Sequence, residues 1–134
     1  GGTLGGAFGL NVLGNAVFGN GTGDIVSLTG SSTLSVSGST TINTSGISTY
    51  GVQTYSGVVS FGTDVTLTTS ASGASGNIQF GSTVDSVGTA DSLTINANAS
   101  SKTIFNGVAG SNHPLHNLSV SNATQSSGGA LYSG

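Results

Sequence analysis

Val65-Thr66-Leu67 places two branched apolar residues around one small polar residue, and this pattern returns along the chain. On a β-strand, the first and third side chains of such a triplet point to one face and the middle one to the other. A unit that recurs at intervals of 20 to 50 residues is typical of a solenoid. The copies begin 24, 31, 28 and 25 residues apart: Leu10-Asn11-Val12, Leu34-Ser35-Val36, Val65-Thr66-Leu67, Leu93-Thr94-Ile95 and Leu118-Ser119-Val120.

The composition favours ordered β structure over helix or disorder. Gly, Ser, Thr and Asn supply 77 of the 134 residues, and these are poor helix formers. Disordered chains combine low hydrophobicity with high net charge, whereas this chain is 34% hydrophobic with a net charge of −3. We therefore expect an all-β fold, a parallel β-helix of about five coils of roughly 25 residues, forming a single domain over residues 1–134.

The predicted core consists of the apolar triplet residues together with apolar residues of the following strands. Gly and Asn between these strands supply the corners, because they tolerate positive φ. One coil alone buries too little apolar surface to offset the ordering of its backbone, so the stack is the expected folding unit. The predicted core residues are Leu10, Val12, Leu34, Val36, Val65, Leu67, Phe80, Leu93, Ile95, Ile104, Leu118 and Val120.

The ends of the predicted stack carry a second expectation. Neither end shows a capping helix or a charged coil, and an open solenoid end leaves strand edges unpaired. We expect these ends to be covered by self-association end to end, or by covalent repeat neighbours in a longer polypeptide.

Five segments between residues 53 and 108 share the style of one bacterial repeat family: Gln53-Thr54-Tyr55-Ser56-Gly57-Val58-Val59, Asp64-Val65-Thr66-Leu67-Thr68, Ile78-Gln79-Phe80-Gly81-Ser82-Thr83-Val84-Asp85-Ser86, Ser92-Leu93-Thr94-Ile95-Asn96-Ala97 and Thr103-Ile104-Phe105-Asn106-Gly107-Val108. From about residue 53 to residue 123 the chain resembles the shaft repeats of large bacterial exported adhesins similar to filamentous haemagglutinin, of the two-partner secretion or autotransporter type. The resemblance implies a right-handed β-helix, secreted or held at the bacterial cell surface, with a role in adhesion or biofilm matrix. It brings no catalytic residues and no cofactor.

An enzyme acting on polysaccharides is a less favoured alternative. Some β-helices cleave polysaccharides with clustered carboxylates, and Asp64 and Asp91 each come just before a triplet, where stacking would bring them together. Asp85 is a further candidate. Arg is absent, although an acidic substrate would call for cationic groups, so we expect turn residues and no catalytic site.

Metal and nucleic-acid binding are also disfavoured. His113 and His116 lie three residues apart, on opposite faces of an extended segment, without a nearby carboxylate or Cys to complete a metal site. Lys102 is the sole cation, which excludes a basic nucleic-acid footprint. No apolar run is long enough to span a membrane.

A ligand-binding face on the same scaffold is the main alternative function. Exposed aromatic residues could bind a host or matrix glycan or a protein receptor, and Tyr50, Tyr55 and Tyr132 are the candidates. Outward Thr66, Thr68 and Thr94 would suit an ice-binding ladder. The corresponding triplet positions hold Asn11, Ser35 and Ser119, which breaks that ladder.

Overall fold

The computed structural model describes residues 1–121 and 123–125, and over this part the chain winds into a β-solenoid of about five turns. Every strand pair is parallel, and the described residues include a single 3-10 turn, Gly73–Gly76. The expected all-β parallel β-helix is therefore confirmed. Three sheets, here called A, B and C, form the faces of the coil.

Sheet A has six strands, and each strand pairs with its counterpart in the next coil. Its inward column runs from Leu4 through Val26, Ile47, Leu67 and Ile95 to Val120. The strands are β1 Thr3–Gly6, β4 Ile25–Leu28, β7 Gly46–Thr49, β10 Val65–Thr69, β13 Ser92–Asn96 and β15 Asn117–Val120.

Sheet B also has six strands and carries the aromatic part of the core. Each of its strands is three residues long, with the first and third residues inward in the well-packed coils. The strands are β2 Leu10–Val12, β5 Leu34–Val36, β8 Gln53–Tyr55, β11 Ile78–Phe80, β14 Thr103–Phe105 and β16 Ala123–Gln125.

Sheet C has four strands, two fewer than sheets A and B. After β14 only Ala109 pairs with Val84, and the chain then leaves the sheet as a loop that returns Leu115 to the core. The strands are β3 Ala16–Phe18, β6 Thr40–Ile42, β9 Val59–Phe61 and β12 Val84–Ser86. Coil 1 is thus β1–β3, coil 2 is β4–β6, coil 3 is β7–β9, coil 4 is β10–β12, and coil 5 begins with β13 and β14.

The recurrence of the five triplets suggests that all of them lie on one face of the solenoid, but the structure divides them between sheets A and B. The Leu34 triplet pairs with Gln53–Tyr55 in sheet B, whereas the Val65 triplet pairs with the strand of Ile47 in sheet A. The 31-residue interval therefore crosses from one sheet to another. The length of a coil varies from 20 to 28 residues. These lengths are the intervals between residues paired in one column of sheet A: Thr3, Ile25, Gly46, Thr66, Thr94 and Ser119.

Three aromatic rings stack along the inside of sheet B. The ring centroids of Tyr55 and Phe80 are 5.4 Å apart, and those of Phe80 and Phe105 are 5.0 Å apart. The interplanar angles are 12° and 17°, and all three side chains are buried. Because parallel pairing keeps the rings in one column, the stack ties coils 3, 4 and 5 together.

The predicted core residues fall into three groups. Seven are buried: Leu34, Val36, Val65, Leu67, Phe80, Leu93 and Ile95. Four are half-buried against the core in the first and last described coils: Leu10, Val12, Leu118 and Val120. The prediction for Ile104 is wrong. Its strand pairs Phe105 with Phe80, which turns Thr103 and Phe105 inward and leaves Ile104 half-buried on the outer face.

Glycine is required where sheet B turns into sheet C, because the corners of successive coils lie in contact. A Cβ on Gly57 would lie 2.5 Å from the carbonyl oxygen of Gly38. A Cβ on Gly38 would lie 2.4 Å from Oδ1 of Asn15. Any side chain at these two positions would force the coils apart.

The aromatic stack gives a stability prediction. Phe80→Ala should lower the free energy of unfolding by about 3–5 kcal/mol, because it removes the middle ring and leaves a cavity between Tyr55 and Phe105. Ile104→Ala, on the outer face of the neighbouring strand, should cost only about 1 kcal/mol. Denaturant unfolding of both variants measures the difference, and equal losses would contradict the register of sheet B.

Candidate functional surface at the first coil

Coil 1 has strand partners on one side only. In the described chain, β1, β2 and β3 each end their sheet, with β4, β5 and β6 as single neighbours. In a parallel sheet, successive residues direct their backbone groups alternately to the two neighbouring strands. Half of the backbone groups of coil 1 are therefore available to a further strand.

The hydrogen bonds of β2 and β3 show which residues these are. Leu10 N donates to Thr33 O (2.8 Å) and Val12 O accepts from Ser37 N (3.0 Å), so both face coil 2. The backbone N–H and C=O of Asn11, between them, therefore point away from coil 2. Val17 does the same, because Phe18 O accepts from Asn43 N (2.8 Å) and Ala16 N donates to Ser39 O (2.9 Å).

The first strand has the same arrangement. Gly2 O accepts from Ile25 N (2.9 Å), and Gly6 O accepts from Thr29 N (2.8 Å). The backbone groups of Thr3 and Gly5 consequently point away from coil 2. Together with Asn11 and Val17 they form what we call the coil 1 edge.

The inward columns of apolar side chains also end at the coil 1 edge. Leu4 is 42% exposed, although the next members of its column, Val26 and Ile47, are 3% and 0% exposed. Val26 and Ile47 lie between two coils, whereas Leu4 has a described coil on one side only, and this difference accounts for its exposure. Phe8 and Leu13 are also exposed on coil 1.

A cleft of about 620 Å³ opens between coil 1 and the loop of residues 19–24. Asp24 lies in its wall, where its carboxylate accepts hydrogen bonds from the backbone N–H groups of Asn20 (2.7 Å) and Gly2 (2.5 Å). These two bonds, the one from Asn20 first, lower the pKa of Asp24. The carboxylate thus holds the start of coil 1 against coil 2.

Asp64 and Asp91 lie beside each other on neighbouring coils. Asp64 Oδ1 accepts from Ser92 N (2.7 Å), the residue that follows Asp91. Oδ2 of Asp91 is shielded from solvent and has no hydrogen-bond partner among the described residues. Desolvation, followed by the negative charge of Asp64, raises the pKa of Asp91.

Asp85 takes a structural position apart from this pair. It lies on the outer face of sheet C, where the loop after Ala109 covers it. Its Oδ1 accepts from Asn112 N (3.0 Å), and its Oδ2 accepts from Asn112 Nδ2 (3.3 Å). The carboxylate therefore fixes the loop that replaces a fifth strand of sheet C.

The two histidines belong to the same loop, and both are exposed. His116 N donates to Asp91 O (3.0 Å), and Pro114 O accepts from Ser86 Oγ (3.1 Å). Within residues 1–121 and 123–125, no three His, Asp, Glu or Cys side chains come together in a way that could hold a metal ion. No helix in that part of the chain is long and apolar enough to cross a membrane.

The residues predicted for ligand binding separate in the structure. Tyr50 is exposed, but Tyr55 is fully buried, so its assignment to a binding face is wrong; Tyr132 lies outside the described residues. The Thr66 and Thr94 column of sheet A continues into Gly46 and Ser119. Asn11 and Ser35 belong instead to sheet B, so they never shared a ladder with Thr66.

Comparisons of this chain with protein-family models, with curated proteins and with solved structures found no match.

The pKa values of Asp91 and Asp24 are shifted in opposite directions, which gives a prediction for the pH dependence of stability. A raised pKa means that the folded chain holds the proton more tightly than the unfolded chain, so ionised Asp91 destabilises the fold at pH 7. This penalty is absent below the ordinary Asp pKa of 3.8 and develops as the pH rises through the raised value. Asp91→Asn should therefore raise the melting temperature at pH 7, with little effect near pH 3.

Asp24→Asn is the matched control, with the opposite sign. The lowered pKa of Asp24 gives stability that is present above the unfolded pKa and is lost as the pH falls through the folded value. This variant should melt at a lower temperature than the wild type at pH 7. Thermal melts between pH 2.5 and 8 measure both, and a shift of the same sign for both variants would contradict the assigned environments.

Proposed function

We propose that this chain is a structural β-solenoid that forms part of an extracellular fibre or adhesin shaft at the bacterial surface. The observation that carries the proposal is the coil 1 edge, where the ladders of all three sheets and the apolar core columns stop together and no described residue covers them. A further coil in the same register would pair with the free backbone groups and bury Leu4. The shaft resemblance between residues 53 and 123 supports the same role.

Growth along the axis needs no new kind of contact. Because all strands are parallel, β1 and β2 of coil 1 can pair with the opposite edges of β15 and β16, as strands of neighbouring coils already do. The edge of β3 has no such counterpart among the described residues, because a loop follows Ala109 where sheet C would continue. A contact between unlike ends does not close, so it generates a filament. The added coil comes either from a longer chain of repeats or from a second copy.

The corners add hydrogen bonds to those of the sheets. Asn15 Oδ1 accepts from Ser39 N (2.9 Å), and Asn77 Oδ1 accepts from Lys102 N (2.8 Å). Asp64 makes the equivalent bond to Ser92 N. Each of these side chains holds the backbone of the next coil at a point where the ladder is interrupted, which suits a rod that must resist pulling.

The sides of the solenoid suit a spacer. Their outward columns consist largely of small polar residues, such as Ser35 and Thr54 on sheet B and Ser48 and Thr68 on sheet A. The chain has five charged residues in all. Low charge density reduces repulsion between copies packed side by side or end to end.

Edge pairing can be blocked without disturbing the interior. Asn11→Pro and Val17→Pro together remove two N–H groups from the coil 1 edge, and proline is tolerated on an edge strand where the N–H faces solvent. We expect the wild type to form larger species with rising concentration, and the double variant to stay monomeric with a similar melting temperature. Sedimentation velocity and negative-stain electron microscopy measure the association.

Ser35→Pro is the control, one coil further in at the position equivalent to Asn11. Leu34 N donates to Val52 O (2.9 Å) in coil 3, so Ser35 faces coil 1 and its N–H belongs to the internal ladder. This variant should lose stability. A wild type that remains monomeric at every concentration would contradict assembly from second copies and leave covalent repeats as the source of the added coil. The role of the coil 1 edge fails if the double proline variant assembles as well as the wild type does.

A further inference from the structure

The corner between sheets A and B differs in length from coil to coil. It takes residues 29–33 in coil 2, residues 50–52 in coil 3 and residues 70–77 in coil 4. The three-residue corner of coil 3 thus lies between a five-residue corner in coil 2 and an eight-residue corner in coil 4. The eight-residue corner contains the 3-10 turn. The short corner leaves a notch in the side of the solenoid, with the longer corners as its walls.

Tyr50 occupies this notch, and its backbone is held from both sides. Tyr50 N donates to Ser32 Oγ (3.2 Å) in the coil 2 corner. Tyr50 O accepts from Ser70 N (3.1 Å) and Ala71 N (2.6 Å) in the coil 4 corner. The side chain takes no part in these bonds and is 48% exposed. A fixed backbone therefore presents an aromatic ring to solvent.

Two clefts flank Tyr50, and each combines a mainly apolar surface with several residues that carry hydroxyl groups. One, of about 270 Å³, lies between Tyr50 and a set of serines from three coils: Ser27, Ser48 and Ser70. The other, of about 280 Å³, is lined by Ser31, Thr33 and Ser75 together with Gly51 and Val52. None of the residues lining either cleft is charged.

This chemistry selects one class of ligand. The face of an aromatic ring packs against apolar C–H groups, while the hydroxyl groups around it donate and accept hydrogen bonds. An ionic ligand would find no counter-charge, and a purely apolar ligand would bury the hydroxyl groups without partners. A pyranose ring offers a C–H face and a rim of hydroxyl groups, which match the ring and its surroundings.

We propose that the notch around Tyr50 binds a neutral oligosaccharide, with one sugar ring stacked on the tyrosine and its neighbours in the two clefts. Each cleft is close to the lower limit, about 300 Å³, of pockets that hold small ligands. The site therefore takes a short oligosaccharide that lies across Tyr50. This inference is independent of the shaft role, because the notch is on the side of the solenoid and the coil 1 edge is at its end.

The experiment begins with an array of neutral, sialylated and sulfated oligosaccharides, followed by calorimetric titration of the strongest neutral binder. Tyr50→Ala should weaken binding about tenfold, since an aromatic stacking contact contributes up to about 1.5 kcal/mol and 1.4 kcal/mol is a factor of ten. Tyr50→Phe keeps the ring and should stay within about threefold of the wild type. Phe8→Ala removes an exposed aromatic ring of coil 1, outside both clefts, and should leave affinity unchanged.

A second readout does not depend on any variant. Titration of the isotope-labelled wild type with the same oligosaccharide should shift amide resonances of Tyr50, Ser31 and Ser75, and leave those of the coil 1 edge unaffected. The proposal is overturned if no neutral oligosaccharide binds, if only charged ones bind, if Tyr50→Ala binds as tightly as the wild type, or if the shifted resonances lie elsewhere.

Discussion

The parallel hydrogen-bond ladder between successive coils is the constraint on which the rest of this structure depends. Side chains alternate between the two faces of a strand, so a slip of one residue between coils would exchange inward and outward columns. With the register in place, Leu67 lies between Ile47 and Ile95, and Phe80 lies between Tyr55 and Phe105. A thin core is sufficient because each residue is covered from above and below.

The same ladder determines where polar groups can be buried. Gln53 replaces an apolar residue in the inward column between Leu34 and Ile78. Its Nε2 donates to Ile47 O (3.2 Å) and Thr68 O (2.9 Å), and its Oε1 accepts from the Tyr55 hydroxyl (2.9 Å). Burial raises the pKa of Tyr55, which keeps the phenol protonated as the donor of this bond.

The sequence was informative about the class of fold and less so about its register. Alternating triplets identify strands and their recurrence identifies a solenoid, but sheets A and B contain the same kind of triplet, so the Leu34 and Val65 copies looked equivalent. Thr103-Ile104-Phe105 shows the same limit, since either Ile104 or its two neighbours could face inward. Ring stacking on Phe80 selects Phe105, and such a contact between distant residues cannot be seen in a local pattern.

Functional features were predictable to a similar extent. The sequence predicts open ends from the lack of a capping helix or charged coil, whereas the backbone groups that form the coil 1 edge depend on the direction of each hydrogen bond. The exposure of Tyr50 and the burial of Tyr55 depend on corner length and strand face, which their shared residue type does not reveal. The sequence predicts that Asp64 and Asp91 lie close together, whereas the desolvation of Oδ2 of Asp91 depends on the three-dimensional packing.

Hydrogen exchange of individual amides, measured by NMR in dilute and in concentrated solution, tests the central claim that the coil 1 edge is an assembly surface. In dilute solution the amides of Thr3, Gly5, Asn11 and Val17 should exchange rapidly, although their neighbours Leu10 and Ala16 are protected by bonds to coil 2. In concentrated solution the same four amides should become protected. Protection that is independent of concentration, or that increases only on the sides of the solenoid, would contradict the account.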